Sequence, residues 1–272
     1  MRPALTLPLL VAALVVAVAL ALAIGVGIYV GGSFLIMQRH VERRPLRATL
    51  ADALREIGTA LLIQPLLPLY YLIGRRMAGG SGTPIVVVHG YTQNRANFLL
   101  LARALSARGL GPIYGFNYAW AAPIGASAKR LDHFLAAVRL ETGAPAVDLV
   151  AHSLGGLVVL ELSRIRGAEA KIRRVVTIAS PHAGAAWKGP VLGASGAQVR
   201  AGSSFLARLE EATLPSATLS IYSSHDNVVH PPATSSLAAR GGRDLALVGG
   251  AHLAVLFDRR VHVAVAEFLA EP

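Results

Sequence analysis

One serine in this chain stands between small residues at the end of an apolar run. The run is "VDLVAH", Val147 to His152, and Ser153 follows it directly, ahead of two glycines. The run is typical of a buried strand, and "LGGLVVLEL" after it is typical of a helix. A strand that turns at once into a helix needs small neighbours at the turn, and Ala151 and Gly155 meet that need. Such a turn exposes a hydroxyl above the N-terminal end of a helix, which suits a nucleophile.

A serine hydroxyl needs a base, and His252 is the best candidate among nine histidines. His252 lies in "LVGGAHLAVLF", a glycine-rich loop after the last predicted strand. In a parallel sheet this position belongs to the same edge as Ser153. Three loop histidines remain weaker alternatives: His182, His225 and His230.

The base needs a carboxylate to orient it, and Asp226 in "IYSSHDNVVHP" comes directly after a predicted strand. The alternative is that Asp226 is an ordinary turn residue, a common role for aspartate in such a loop. Its place after the penultimate strand favours catalysis. The three candidates follow one another along the chain in the order Ser–Asp–His, one of the orders in which such a nucleophile, acid and base occur.

Two backbone N–H groups are the candidates for stabilising an oxyanion. The N–H of Leu154 follows the nucleophile, and the N–H of Tyr91 lies in the loop after "PIVVVHG". His89 in the same loop is interpreted as a structural residue that holds the loop, rather than as a proton carrier.

Strand and helix patterns alternate from residue 84 to the C-terminus. This alternation predicts an α/β fold, with a mostly parallel central sheet covered by helices on both faces. The predicted strands are "PIVVVHG", "GPIYGFNY", "VDLVAH", "RRVVTIAS", "ATLSIYSS" and "DLALVG". The predicted helices between and after them are "NFLLLARALSARG", "ASAKRLDHFLAAVRLETG", "LGGLVVLELSRIRG" and "RRVHVAVAEFLA".

With these residues in hand, the chain resembles the α/β-hydrolase superfamily, and within it the bacterial lipases and esterases. The resemblance covers about Pro84 to Leu269 and rests on "VVVHGYTQNRANF", "LVAHSLGGLVV", "VVTIASPHAGAAW", "IYSSHDNVVHP" and "GGAHLAVL". It implies a nucleophile, an acid, a base and two oxyanion donors: Ser153, Asp226, His252, Tyr91 and Leu154. In the strand–serine–helix turn of these enzymes, the residue two positions before the serine is most often glycine. This chain has alanine there, at position 151, and some bacterial lipases share "AHS".

The segment from Ala183 to Pro215 is predicted to form a cap over this site. Its apolar side chains are expected to line an acyl pocket or to touch lipid, and an ordinary surface excursion is the alternative. The apolar residues meant are Trp187, Phe205 and Leu206. The glycines expected to give the cap mobility are Gly184, Gly189, Gly193 and Gly196.

The front of the chain is apolar and carries no charge from Ala4 to Met37. A helix of this length is about 50 Å long, more than a bilayer core requires. It predicts a transmembrane anchor, with a signal peptide cleaved near Ala21 or Ala23 as the alternative. The arginines that follow place this flank in the cytoplasm by the positive-inside rule.

A second apolar stretch, Ile57 to Gly74, contains two prolines. Three interpretations stay open: a short second membrane pass, an interfacial segment, or a helix that covers the domain behind it. The predicted organisation is therefore an anchor over 1–38, a juxtamembrane segment and linker over 39–83, and a hydrolase domain over 84–272. The expected location is a bacterial-type inner membrane, on a side that depends on which of the three interpretations holds.

Composition narrows the function further. The chain has no cysteine, which excludes disulfides and thiol nucleophiles, and its net charge is +11. The arginines are scattered and aromatic residues make up only 6%, so membrane lipid rather than nucleic acid is the expected partner. No metal or cofactor is expected, and the oligomeric state is left open. The sequence thus predicts a membrane-anchored carboxylic ester hydrolase acting on an ester or lipid substrate. The alternatives are a thioesterase or acyltransferase with the same triad, or a non-catalytic hydrolase-like scaffold.

Overall fold

The computed structural model describes residues 7–41, 43–186, 191–214 and 217–272. Within these residues, seven strands form one sheet in the order β1-β3-β2-β4-β5-β6-β7, in which only the β1–β3 pair is antiparallel. The strands are β1 Arg76–Ala78, β2 Ile85–Val88, β3 Ile113–Phe116, β4 Val147–His152, β5 Ile172–Ile178, β6 Thr218–Ser223 and β7 Arg243–Leu247. The α-helices are α1 Leu7–Met37, α2 Leu46–Ile63, α3 Leu99–Ser106, α4 Ile124–Thr142, α5 Leu154–Leu162, α6 Gly193–Gln198, α7 Ser204–Glu210 and α8 Arg259–Ala270.

Helices cover both faces of the sheet, as the alternating pattern predicts. Successive residues of a strand point to opposite faces, so β2 is buried on both sides. Val86 and Val88 pack with α4 and α5, whereas Ile85 and Val87 pack with α3 and α8. Because the central strands run parallel, the residues that follow β4, β6 and β7 meet at one edge.

The short strand β1 was not predicted from the sequence, which gives Arg76–Ala78 the composition of a linker. In the structure it pairs with the edge strand β3. Three residues are too few for a periodic pattern to be visible in the sequence. The stretch just before the expected start of the hydrolase domain therefore contributes to its sheet.

The N-terminal helices form a hairpin against the domain. By length and composition, α1 is the one helix in the described parts of the chain that is suited to cross a membrane, a criterion that a signal sequence also meets. It continues through Gly31 and Gly32 without a break. Near its end Val30, Phe34 and Met37 are buried against the loop that carries His252.

Helix α2 follows, and an irregular helical segment, Gln64–Tyr71, completes the second apolar stretch. The side chains of α2 that are buried include Asp52 and Glu56, which hydrogen bond to the backbone of the 250–254 loop. Within the stretch from Ile57 to Gly74, Ala60 is buried, and the carbonyl oxygens of Leu67 and Ile73 accept hydrogen bonds from Asn94 and Arg95 of the domain, a packing that fits a segment covering the domain.

Candidate active site

Ser153 lies at the junction of β4 and α5 in a left-handed backbone conformation, with φ of 53°. Residues other than glycine rarely adopt this conformation. Where it occurs at an active site, it directs the side chain into a position that an unstrained turn would not give. The Ser153 N–H donates to the carbonyl of Ile178 at 2.8 Å, which ties the turn to β5. The hydroxyl is thereby held at the carboxyl edge of the sheet.

The glycines after the serine allow two close backbone approaches. A Cβ on Gly155 would lie 2.7 Å from the carbonyl oxygen of His89 and closer still to that of Val88. A Cβ on Gly156 would collide with the Ser180 side chain. Both positions require glycine because α5 starts directly against β2 and the segment after β5.

The three side chains predicted to act together lie in one line of hydrogen bonds. The Ser153 hydroxyl is 2.9 Å from His252 Nε2, and His252 Nδ1 is 2.9 Å from Asp226 Oδ2. With the proton of the neutral His252 ring on Nδ1, Ser153 Oγ–H donates to Nε2 and Nδ1–H donates to the Asp226 carboxylate. All three side chains are buried, so water does not compete for these bonds.

Asp226 is a turn residue and a partner of His252 at the same time. Its Oδ1 accepts the N–H groups of Val228 and Val229, each at 2.8 Å, while Oδ2 faces the imidazole. The side chain of Asn227 accepts the backbone N–H of His252 at 2.9 Å. The two interpretations of Asp226 that the sequence leaves open are therefore compatible.

The surroundings of His252 favour its charged form. Burial alone would lower the pKa of His252, but the hydrogen-bonded Asp226 carboxylate and the Glu56 charge outweigh burial and raise it. His152 differs, because burial lowers its pKa to about 3. Its neutral ring lies 5.0 Å from that of His252, and its Nε2 is 3.0 Å from the His252 carbonyl oxygen.

The two candidate oxyanion donors lie at the positions that the sequence suggests. Leu154 is the first residue of α5, where the N–H has no partner within the helix. In the described residues, neither its N–H nor that of Tyr91 takes part in a hydrogen bond. The Gly90 N–H is occupied by the side chain of Gln93 at 2.9 Å. Within the part of the chain that the structure describes, both N–H groups thus lack a hydrogen-bond partner.

A family model and solved structures both relate this chain to lipases. The family model described as lipase (class 2) matches residues 82–271. The chain belongs to the class 2 lipase family. No curated protein sequence matches it.

Solved lipases share the fold of this class 2 lipase domain. Lipase B of Aspergillus fumigatus has a TM-score of 0.63 and 17% identity, covering 70% of this chain and 52% of its own. The chain thus matches about half the length of that fungal lipase. The mature lipase BlEst2 of Bacillus licheniformis has a TM-score of 0.59 and 16% identity, covering 71% of this chain and 93% of its own. The resemblance to α/β-hydrolases of the lipase and esterase type is confirmed.

The rival histidines lie outside the hydrogen-bonded line. His89 stacks on Tyr118 and accepts its N–H, and burial lowers the pKa of His89 to about 4, in keeping with the structural role expected for it. His182 hydrogen bonds to Thr177 of β5. His225 contacts the hydroxyl of Ser224, and His230 stacks on His40, which follows α1.

The cap is only partly described, and Trp187, Gly189 and Pro215 lie outside the described residues. Phe205 and Leu206 were expected in an acyl pocket or against lipid, but the structure buries them in the main core. The Tyr91 hydroxyl fastens the cap by hydrogen bonding the backbone of Leu192.

The cap glycines that the structure describes were expected to give mobility, and the structure shows close packing instead. A Cβ on Gly184 would lie 2.6 Å from Ala201 Cα, and one on Gly196 would lie 2.8 Å from Val191 Cβ. A Cβ on Gly193 would collide with the backbone of Ala121.

Sequence reasoning missed three residues that hydrogen bond to the backbone of the loops around the site: Gln93, Asn227 and Glu56. Gln93 lies two positions after Tyr91 and Asn227 lies one position after Asp226, yet an amide side chain in a loop carries no distinctive signal. Glu56 is nearly 200 positions from His252, so one sequence cannot connect the two. Among the described residues, no group of three or more acidic or histidine side chains is arranged to hold a metal ion.

Proposed function

We propose that this chain is a membrane-anchored serine hydrolase that cleaves carboxylic esters of lipid origin through an acyl-enzyme on Ser153. The observation that carries the proposal is the relay in which His252 bridges Ser153 and Asp226 at 2.9 Å on either side. Membership of a lipase family supports an ester as the substrate.

The proposed reaction has two halves. His252 Nε2 takes the Ser153 proton as the oxygen attacks the ester carbonyl, and the N–H groups of Leu154 and Tyr91 stabilise the oxyanion. Asp226 stabilises the imidazolium, which then protonates the leaving alcohol. In the second half His252 activates water, and the acid is released from Ser153.

The apolar N-terminus supports a lipid substrate. Helix α1 is long enough to span a bilayer, and its final turns pack on the domain rather than leaving it on a free linker. With α2 folded against the domain, α1 is the single proposed span. The positive-inside rule then assigns the arginine-rich flank and the catalytic domain to the cytoplasmic face. Protease accessibility in sealed membrane vesicles of known orientation tests this assignment.

The catalytic proposal is tested with Ser153→Ala on the full chain in detergent. We expect loss of p-nitrophenyl ester hydrolysis and of labelling by a fluorophosphonate probe, because both require the Ser153 oxygen. Ser163→Ala, at the far end of α5, is the matched control and should keep both. Hydrolysis that survives in the Ser153 variant excludes this nucleophile, and failure of the wild-type protein to label favours a non-catalytic scaffold.

The same triad also serves thioesterases and acyltransferases. An acyl-chain series offered as oxygen esters and as thioesters, with water or an alcohol as acceptor, separates these activities. We expect hydrolysis of oxygen esters to dominate. A higher kcat/KM for thioesters, or transfer to the alcohol in preference to water, would replace the proposed activity.

A further inference from the structure

The N-terminal hairpin lies outside the residues that match the lipase family, yet it contacts both loops of the candidate triad. From α1, Ser33 accepts a hydrogen bond from the Asn227 side chain at 2.7 Å. From α2, Asp52 and Glu56 accept backbone N–H groups of the His252 loop. The hairpin is therefore in position to influence catalysis as well as membrane attachment.

Glu56 makes the most direct of these contacts. Its carboxylate accepts the N–H of Leu253 at 2.9 Å and that of Ala254 at 2.8 Å. These are the two residues after His252, and Glu56 is only 4% exposed. Bonds between a buried carboxylate and backbone N–H groups are strong, because the acceptor is charged and water is excluded.

Hydrogen bonds hold both the N–H and the carbonyl of His252, as well as the two peptide groups that follow. Its N–H is held by Asn227, which is itself held by Ser33, and its carbonyl lies 3.0 Å from His152 Nε2. Glu56 holds the peptide groups that follow. The imidazole can therefore bridge Ser153 and Asp226 without further ordering of its loop.

Few charged or titratable groups face the imidazole. Asp226 comes from the loop after β6, Glu56 from α2 and the neutral His152 from β4. The Tyr29 hydroxyl of α1 lies within electrostatic reach of both carboxylates. The pKa of Glu56 is raised above its ordinary value, chiefly by burial, although the backbone N–H bonds and the His252 charge act in the opposite direction and favour the carboxylate. An ionised Glu56 stabilises the imidazolium that catalysis requires.

We propose that Glu56 is a positioning residue for His252, so that the N-terminal hairpin completes the active site of this lipase. The inference rests on the proposed hydrolase function. The competing view is that Glu56 only caps the first turn of the short helical segment Ala254–Phe257. A cap alone contributes stability and leaves the chemistry of His252 unchanged.

The test compares Glu56→Ala and Glu56→Gln with the wild-type full chain in detergent. Ester hydrolysis and thermal unfolding are measured for each. For Glu56→Ala we expect kcat to fall on the order of 10- to 100-fold with KM little changed, because displacement of the imidazole affects the reaction more than binding. Glutamine keeps an acceptor oxygen, so Glu56→Gln should recover most of kcat.

The pH profile separates positioning from capping. Glu56→Gln removes a negative charge near the imidazolium, so the pKa of His252 falls and the acid limb of kcat/KM moves to lower pH. Glu267→Gln, the same change at an exposed position on α8, should leave that limb in place. If Glu56→Ala does not fold, the limb in Glu56→Gln decides. The inference is overturned if the acid limb of Glu56→Gln lies at the wild-type pH, or if folded Glu56→Ala keeps the wild-type kcat. Absence of Ser153-dependent hydrolysis in the wild type overturns the proposed function instead.

Discussion

Ser153 is held in a conformation that side chains avoid, and the packing two residues later shows how. Gly155 lets the first turn of α5 press against the carbonyls of β2 and its loop. The serine N–H is anchored on β5 at the same time. The strained turn is thus stabilised by contacts on both sides, which is how such strain persists in folded proteins.

Gly155→Ala tests this arrangement. The added methyl group cannot fit without moving α5 away from β2, so we expect a loss of about 1–3 kcal/mol in the free energy of unfolding. Displacement of Ser153 should lower kcat by more than 10-fold. Chemical denaturation and ester hydrolysis measure the two effects.

Gly125→Ala on α4 is the control, since its Cβ would lie 3.6 Å from Glu161 Oε1, an ordinary contact. It should leave activity unchanged and stabilise α4 by up to about 1 kcal/mol. Equal stability and activity in the two alanine variants would contradict the close approach at Gly155.

The raised pKa of His252 predicts the pH dependence of the reaction. In the proposed mechanism His252 must be neutral to accept the Ser153 proton, so kcat/KM should fall as pH drops through the pKa of His252. Because Asp226 and Glu56 favour the imidazolium, we expect the inflection above the ordinary value of 6.5. A pH series of kcat/KM with a soluble ester measures it. An inflection below that value would show that burial dominates.

Asp226→Asn provides the comparison for that profile. Removing the carboxylate lowers the pKa of His252, so the acid limb of the residual activity should move to lower pH. Loss of the correct tautomer should also reduce kcat by on the order of 10⁴-fold, the scale seen for such changes in serine proteases. A variant with near wild-type kcat would exclude Asp226 as the partner of the base.

At the scale of elements, the carboxyl edge of the sheet concentrates buried neutral histidines. Burial lowers the pKa of His89 to about 4, and those of His152 and His182 to about 3. An unfolded chain protonates these rings near pH 6.5, so it binds more protons than the folded chain does below that pH. Their contribution to stability is present above pH 6.5 and is lost as pH falls toward 4.

His182→Gln measures one of these contributions. Each such histidine adds about 1 kcal/mol per pH unit to the slope of stability between pH 4 and 6.5. The variant should therefore lose less stability on acidification than the wild type, as followed by denaturant unfolding at several pH values. His133→Gln, at an exposed position on α4, should keep the wild-type slope. Identical slopes for all three proteins would contradict the buried neutral state of His182.

The elements around the site were largely predictable because their sequences carry strong local signals. Strand β4 has the bounds that its apolar run predicts, Val147–His152, and the order of strands and helices follows the alternation of patterns. The elements that support the site were not predictable. Helix α2 turns Asp52 and Glu56 toward the protein, which reverses the usual expectation that charged residues face water. That orientation is explained by the 250–254 loop, which is distant in sequence and whose backbone N–H groups these two carboxylates accept.

At the scale of the whole molecule, α1 has two parts with different surroundings. Its first turns expose apolar side chains on every side, and its last turns bury one face, with Val30, Phe34 and Met37, against the domain. The sequence predicts a helix there but cannot divide it, because both parts are equally apolar. The division depends on which residues meet the loop at Ala251 and Ala254.

Two truncations test this division. A chain that starts after Val26 loses the exposed part and keeps Ser33 and the buried turns. We expect it to leave the membrane fraction on carbonate extraction and to retain ester hydrolysis within a few-fold. A chain that starts at Arg43 also loses the buried part and should lose stability and activity together. Carbonate-resistant membrane attachment of the first truncation would contradict the anchor, and full activity of the second would contradict the role of the buried turns.

The contact between Ser33 and Asn227 fixes the height of the catalytic centre in the proposed arrangement. With Leu7–Val26 filling a bilayer core of about 30 Å, Ser33 lies only about 10 Å farther along α1. That distance is comparable to the thickness of the headgroup layer, so an ester lipid need not leave its leaflet to be cleaved. We therefore expect the rate in mixed vesicles to follow the mole fraction of ester in the membrane. Diluting the ester with an inert lipid should slow the reaction, whereas diluting the vesicles in buffer should not.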